Sequence, residues 1–168
     1  MTNKSKNTAL AGVCVALAMI LAYIEIIIPP LFPAIPGIKM GLPNIIIVFL
    51  LYRRGPVFAA SVSLIRIILV SMLFGNSMAL MYSLAGGLLS LLVMIVFRRL
   101  NVFSAVGVSV AGGVFHNVGQ VLMAALLLET SELAYYLVVL TVTGTASGIL
   151  IGLCGFLLIK RIPTKYIE

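Results

Sequence analysis

Apolar stretches about as long as a membrane crossing follow one another along this chain, and the breaks between them carry nearly all of its charge. About 20 mainly apolar residues in a helix span the hydrocarbon of a bilayer. The runs are Ala9 to Ile28, Asn44 to Tyr52, Val57 to Phe74, Met78 to Phe97, Ser104 to Leu128 and Leu133 to Ile159. With 62% hydrophobic and 9% charged residues the chain falls far below the roughly 25% charge of a soluble domain. Such a sequence cannot clothe a water-facing surface, whereas lipid accepts helices that are apolar all round. The reading is all-α: one integral membrane domain over residues 1–168, a bundle of six transmembrane helices. The first run follows Lys4 and Lys6 as a signal peptide would, but it is too long for one and no small-residue cleavage site follows it, so it reads as a retained helix.

The second run is too short to cross alone. Before it lies PPLFPAIPGIKMGLP, with five prolines and two glycines between Pro29 and Pro43. Proline removes a backbone donor and pushes the preceding residue out of helix, so this stretch is a loop, apolar enough to dip toward the membrane.

Of eleven Lys and Arg residues, all but Lys39 and Arg66 lie at the N-terminus (Lys4, Lys6), in two connections (Arg53, Arg54 and Arg98, Arg99) or at the C-terminus (Lys160, Arg161, Lys165). Six crossings bring all of these to one side, opposite Glu25, Lys39, Glu129 and Glu132. Five or seven would scatter them. Because basic residues are retained on the cytoplasmic side, both termini are expected there, in a multi-pass protein of the cytoplasmic membrane. The same scatter into pairs, with no single patch behind the net charge of +7, argues against nucleic acid.

Ionisable groups inside apolar runs are costly and mark function. Arg66 lies about ten residues into the third run, roughly 15 Å deep at 1.5 Å per residue. His116, the single histidine, reaches a similar depth in the fifth. Asn117 follows it, and Gln120 sits one turn on, on the His116 face. Either Arg66 is structural, held by backbone carbonyls, Glu25 or the Gln120 amide, or it lines a cavity and meets an anionic group, to which a planar guanidinium is suited. The matching depth of His116 favours a shared cavity wall. Asn44 and Lys39, beside the proline-rich loop, are candidates for its rim, and Tyr82, with Ser83, is a weaker candidate in the fourth run.

Membrane helices associate through close backbone approach at small residues. The first helix carries two small stripes, one of Thr8, Gly12 and Ala16, the other of Ala11, Ala18 and Ala22; two such faces make it the best candidate for docking a partner. Gly144, Gly148 and Gly152 recur every four residues in the sixth run, and Gly86-Gly87 and Gly112-Gly113 thin the fourth and fifth. Cys14 and Cys154, within apolar runs, read as buried inert thiols.

Nothing here suggests an enzyme. A Walker-type phosphate loop is missing, there is no aspartate among the four acidic residues, and no Ser/His/Asp or Cys/His arrangement is visible. Prenyl diphosphate chemistry ordinarily holds magnesium with carboxylate clusters, which this chain does not supply. No metal site or required cofactor is expected.

The segments PGIKMGLPN (Pro36 to Asn44), RIILVSMLFG (Arg66 to Gly75), YSLAGGLLSLLVM (Tyr82 to Met94) and AGGVFHNVGQ (Ala111 to Gln120) resemble the heptaprenyl diphosphate synthase component I family, also called Gx transporters. That family is similar in size and layout to the S components of energy-coupling-factor transporters. The resemblance implies a solute-binding membrane subunit for a small polar or anionic metabolite, working with a transmembrane coupling protein and ATPases or as a homo-oligomer. It places Ala11, Gly12, Ala16, Ala18 and Ala22 where S components meet their coupling protein. Related small transporters are linked to supplying flavins, FAD or FMN, to extracytosolic flavinylated redox proteins, which would make a flavin the transported ligand. The family's enzyme name implies the alternative, a non-catalytic membrane partner of a polyprenyl diphosphate synthase.

Overall fold

A computed structural model describes residues 3–28, 41–129, 135 and 137–163. They form six α-helices and, among the described residues, no strand: α1 (Asn3–Ile27), α2 (Asn44–Arg53), α3 (Pro56–Phe74), α4 (Ser77–Leu100), α5 (Ala105–Leu128) and α6 (Leu137–Arg161). The breaks have local causes. Gly55, at φ 90°, turns the chain, and Pro56 opens α3, where its missing N–H costs nothing. The Asn76 side chain accepts the Ala79 N–H at 2.8 Å, and Ser104 Oγ accepts the Gly107 N–H at 3.2 Å, so α4 and α5 begin with capped donors. Asn101 and Glu129, both left-handed, end those two helices.

Five helices are long and apolar enough to cross a bilayer; α2 has 10 residues, about 15 Å, and does not cross alone. The side chains turned outward are the ones water would reject, among them Val57, Met72, Leu126 and Val138, each more than two-thirds exposed. An apolar exterior of this extent belongs in lipid. The chain is a multi-pass membrane protein.

Neighbouring helices pack in the sequence α1–α3–α4–α5–α6, and α2 is wedged inside, touching α1, α3, α5 and α6. Its residues Ile46 to Leu51 are all buried. One end of the bundle is basic and tied together by that charge. Arg54 donates to the Asn7 side chain and lies over the Phe58 ring, 5.1 Å from its centroid. Arg53 donates to the carbonyls of Ile159 and Ile162, and Arg98 stands over Tyr52. The start of α1, the α2–α3 turn and the ends of α4 and α6 therefore meet at one level.

The two stripes of α1 have different fates. Ala18 and Ala22 are buried and Ala11 is half-buried, on the face that packs into the bundle; Gly12 and Ala16 are exposed. Cys14 is buried, but Cys154 is exposed, contrary to the expectation for it. An apolar neighbourhood in sequence does not imply burial when lipid covers the outside.

Candidate functional site

Arg66 is carried by α3 to mid-depth and turned inward, with only 9% of its surface exposed. Its Nε is buried without a hydrogen-bond partner. Among the described residues, the Glu25 carboxylate, from α1, is a charged neighbour that acts on it. Glu25 also accepts the backbone N–H of Gly41 and so ties the chain just ahead of α2 to α1. Gly41 is left-handed, at φ 76°, a conformation that costs glycine little. Its carbonyl accepts the Asn44 N–H at 2.8 Å, which starts α2 at this depth.

Arg66, Glu25 and Asn44 open into one cavity with His116 and Gln120 of α5. Its empty volume is about 520 Å³, counting the space at its mouth, and Ser71 and Ser83 add hydroxyls to the wall. Gly86 makes room for the α5 side: a Cβ there would lie 2.7 Å from the His116 carbonyl oxygen and 2.8 Å from Gln120 Cγ. The guanidinium and the imidazole thus share a hollow whose walls come from five helices.

Not every candidate lines it. Asn117 faces a second, adjoining hollow, and its Nδ2 donates to the Leu140 carbonyl at 2.7 Å, pinning α5 to α6. Tyr82 is half-buried outside the cavity, and its neighbour Ser83 lines it instead. Lys39 lies outside the described residues. Glu25, considered in the sequence only as an anchor for Arg66, is a wall residue in its own right. Its place as an acidic side chain inside the apolar run Ala9 to Ile28 is the signal that could have found it. Among the described residues no group of three His, Cys, Asp or Glu side chains could hold a metal.

Chemically, an arginine with an unused donor, an imidazole and two amides suit an anion bearing several acceptor oxygens. Glu25 compensates the arginine from one side. The helices and this hollow define the class: a multi-pass α-helical membrane protein with a polar cavity inside the bundle. The chain belongs to the heptaprenyl diphosphate synthase component I family, whose model it matches over residues 14–158. No curated protein and no solved structure matches it.

Proposed function

We propose that the chain is a substrate-binding membrane transport protein whose Arg66 cavity holds the anionic group of a small polar metabolite. The observation that carries this is the buried Arg66 guanidinium, with its Nε unpaired, facing the same hollow as His116, Gln120 and Asn44. A purely structural arginine at this depth would be expected to exhaust its donors on the protein. The fold is read as resembling an S component, with the basic end toward the cytosol in the cytoplasmic membrane, and with a coupling protein and ATPases or a second copy as partner. A flavin nucleotide is the ligand of choice, its phosphate at Arg66 and its polar groups on the amides. The chain itself is read as no enzyme.

The test is titration of purified protein with FMN, followed by flavin fluorescence. Arg66→Gln should weaken binding tenfold or more, about 1.4 kcal/mol, while the helical content is unchanged. Equal affinity in that variant would make Arg66 structural. A preparation that carries no flavin and does not bind it would remove the flavin assignment.

The family's description favours a second reading, a non-catalytic membrane partner of a polyprenyl diphosphate synthase. It requires co-purification with a soluble synthase and a change in product chain length when this protein is deleted, neither of which a solute carrier produces.

A further inference from the structure

Beside the Arg66 cavity lies a second, narrower hollow between α2, α4, α5 and α6, with about 330 Å³ of empty space counting its open mouth. The two adjoin: Gly41, Asn44 and His116 line both. Their chemistry differs. Arg66 and Glu25 put charge into the first, whereas the second has no Lys, Arg, Asp or Glu in its described wall and presents Ser90, Ser109, Ser147 and Asn117.

We propose that this hollow is a second compartment of the same site, taking the uncharged, hydroxyl- or amide-bearing part of an organic phosphate or carboxylate whose anionic group sits at Arg66; it rests on the binding role given to Arg66 above. Ser90 points to a ligand most directly. It is only 2% exposed, and its Oγ has no hydrogen-bond partner, a state in which buried hydroxyls are seldom left. Ser147 Oγ donates to the Gly144 carbonyl at 3.2 Å, which leaves its oxygen free to accept. The space itself depends on glycine. A Cβ at Gly112 would lie 2.7 Å from the Met94 side chain and 3.2 Å from Ser90 Oγ. Dry cavities are apolar, and a polar one holds water or a ligand. Asn44 and His116, at the junction, are placed to contact both parts of one molecule.

The experiment uses the full chain in membranes, with Cys14→Ala and Cys154→Ala as background and Ser90→Cys as probe. A water-soluble methanethiosulfonate should modify Ser90→Cys roughly tenfold faster than Leu91→Cys, whose neighbourhood is packed core, because a thiolate forms and reacts only where water reaches. FMN or ribose 5-phosphate should slow that modification about fivefold or more, and inorganic phosphate, which occupies only the charged end, should not. A rate no faster than that of Leu91→Cys overturns the proposal, since the hollow is then a dry packing gap. So does an unchanged rate with both organic phosphates present. Either failure is separable from failure of the Arg66 assignment, which is read independently from the FMN titration of Arg66→Gln. Ser90→Val supplies a check without labelling: FMN affinity should fall about fivefold, with phosphate affinity unaltered.

Discussion

The α4–α5–α6 side of the bundle and the α1–α2–α3 side are held together by opposite means. On the first, backbones touch. A Cβ added at Gly148 would lie 2.6 Å from Val110 Cα, one at Gly113 2.5 Å from the Gly144 carbonyl oxygen, and one at Gly119 2.7 Å from the Ala85 carbonyl oxygen. On the second, large side chains fill the space: Ile47, Val48, Leu50, Leu51 and Val62 are among the most completely buried side chains. Lipid is as apolar as leucine, so neither side draws on expulsion of water; both depend on dispersion across close contacts. The glycine side should resist any added atom, and the leucine side any removed one. The cavity lies on the seam, with Glu25, Asn44 and Arg66 from one side and His116 and Gln120 from the other.

The largest effect is expected where the comparison is broken from the glycine side. Gly148→Leu drives a side chain into the backbone of α5, which cannot rotate away. Overpacking ordinarily costs about 1–3 kcal/mol, and this substitution should reach or exceed the upper figure. The check is the yield of monodisperse protein and its thermal unfolding in detergent. A variant as stable as the parent would show that α5 and α6 do not approach as described.

Next comes the leucine side. Leu50→Ala, at a position with no exposed surface, should destabilise by about 2 kcal/mol. That is the low end for leucine truncation, because an unfolded state still in lipid removes the water-transfer part and leaves the cavity part. The same unfolding measurement decides it. A loss of 4 kcal/mol or more would mean that water reaches α2 on unfolding, as it would if this half-helix left the bilayer.

How much of this was legible in the sequence follows the same division. The helices were, because the bilayer fixes their length, and the RRGP break between Arg53 and Pro56 sits where α2 gives way to α3. The shortness of α2 was visible too, from Pro43 on one side and the arginine pair on the other. Depth was legible for Arg66 and His116, since rise per residue is constant. Direction was not. Consecutive helical residues point about 100° apart, so Asn117 turns to a different hollow from His116, and Ser83 lines the cavity while Tyr82 does not. Telling them apart needs the crossing of α4 on α5 at Gly86 and Gly119, and a pair of close backbones leaves no trace in one sequence beyond the small residues themselves. Ser90 was within reach: Ser83, Gly86, Gly87, Ser90 and Met94 share one face of α4 by their spacing. The role of Glu25 in holding Gly41 was not, because it depends on where a proline-rich connection returns to the bundle.

The smallest change in stability, and the sharpest use of the comparison, concerns the outer stripe of α1. Beyond its own helix backbone and chain neighbours, Gly12 has no atom within 4 Å of where its Cβ would stand, and Ala16 beside it is exposed, while Ala18 and Ala22 on the opposite stripe are committed to the bundle. Gly12→Leu therefore adds a side chain into open space and should move the unfolding free energy by no more than about 0.5 kcal/mol, in contrast to Gly148→Leu. FMN affinity should not change either, since Gly12 lines neither hollow. If a partner subunit docks on this stripe by close helix approach, the added leucine holds the two helices apart, and uptake into cells should fall while binding to the isolated protein persists. Uptake and binding both intact in Gly12→Leu would remove the outer stripe as a docking face. With Ala11, Ala18 and Ala22 already turned inward, α1 would then have no small-residue surface left to offer a partner.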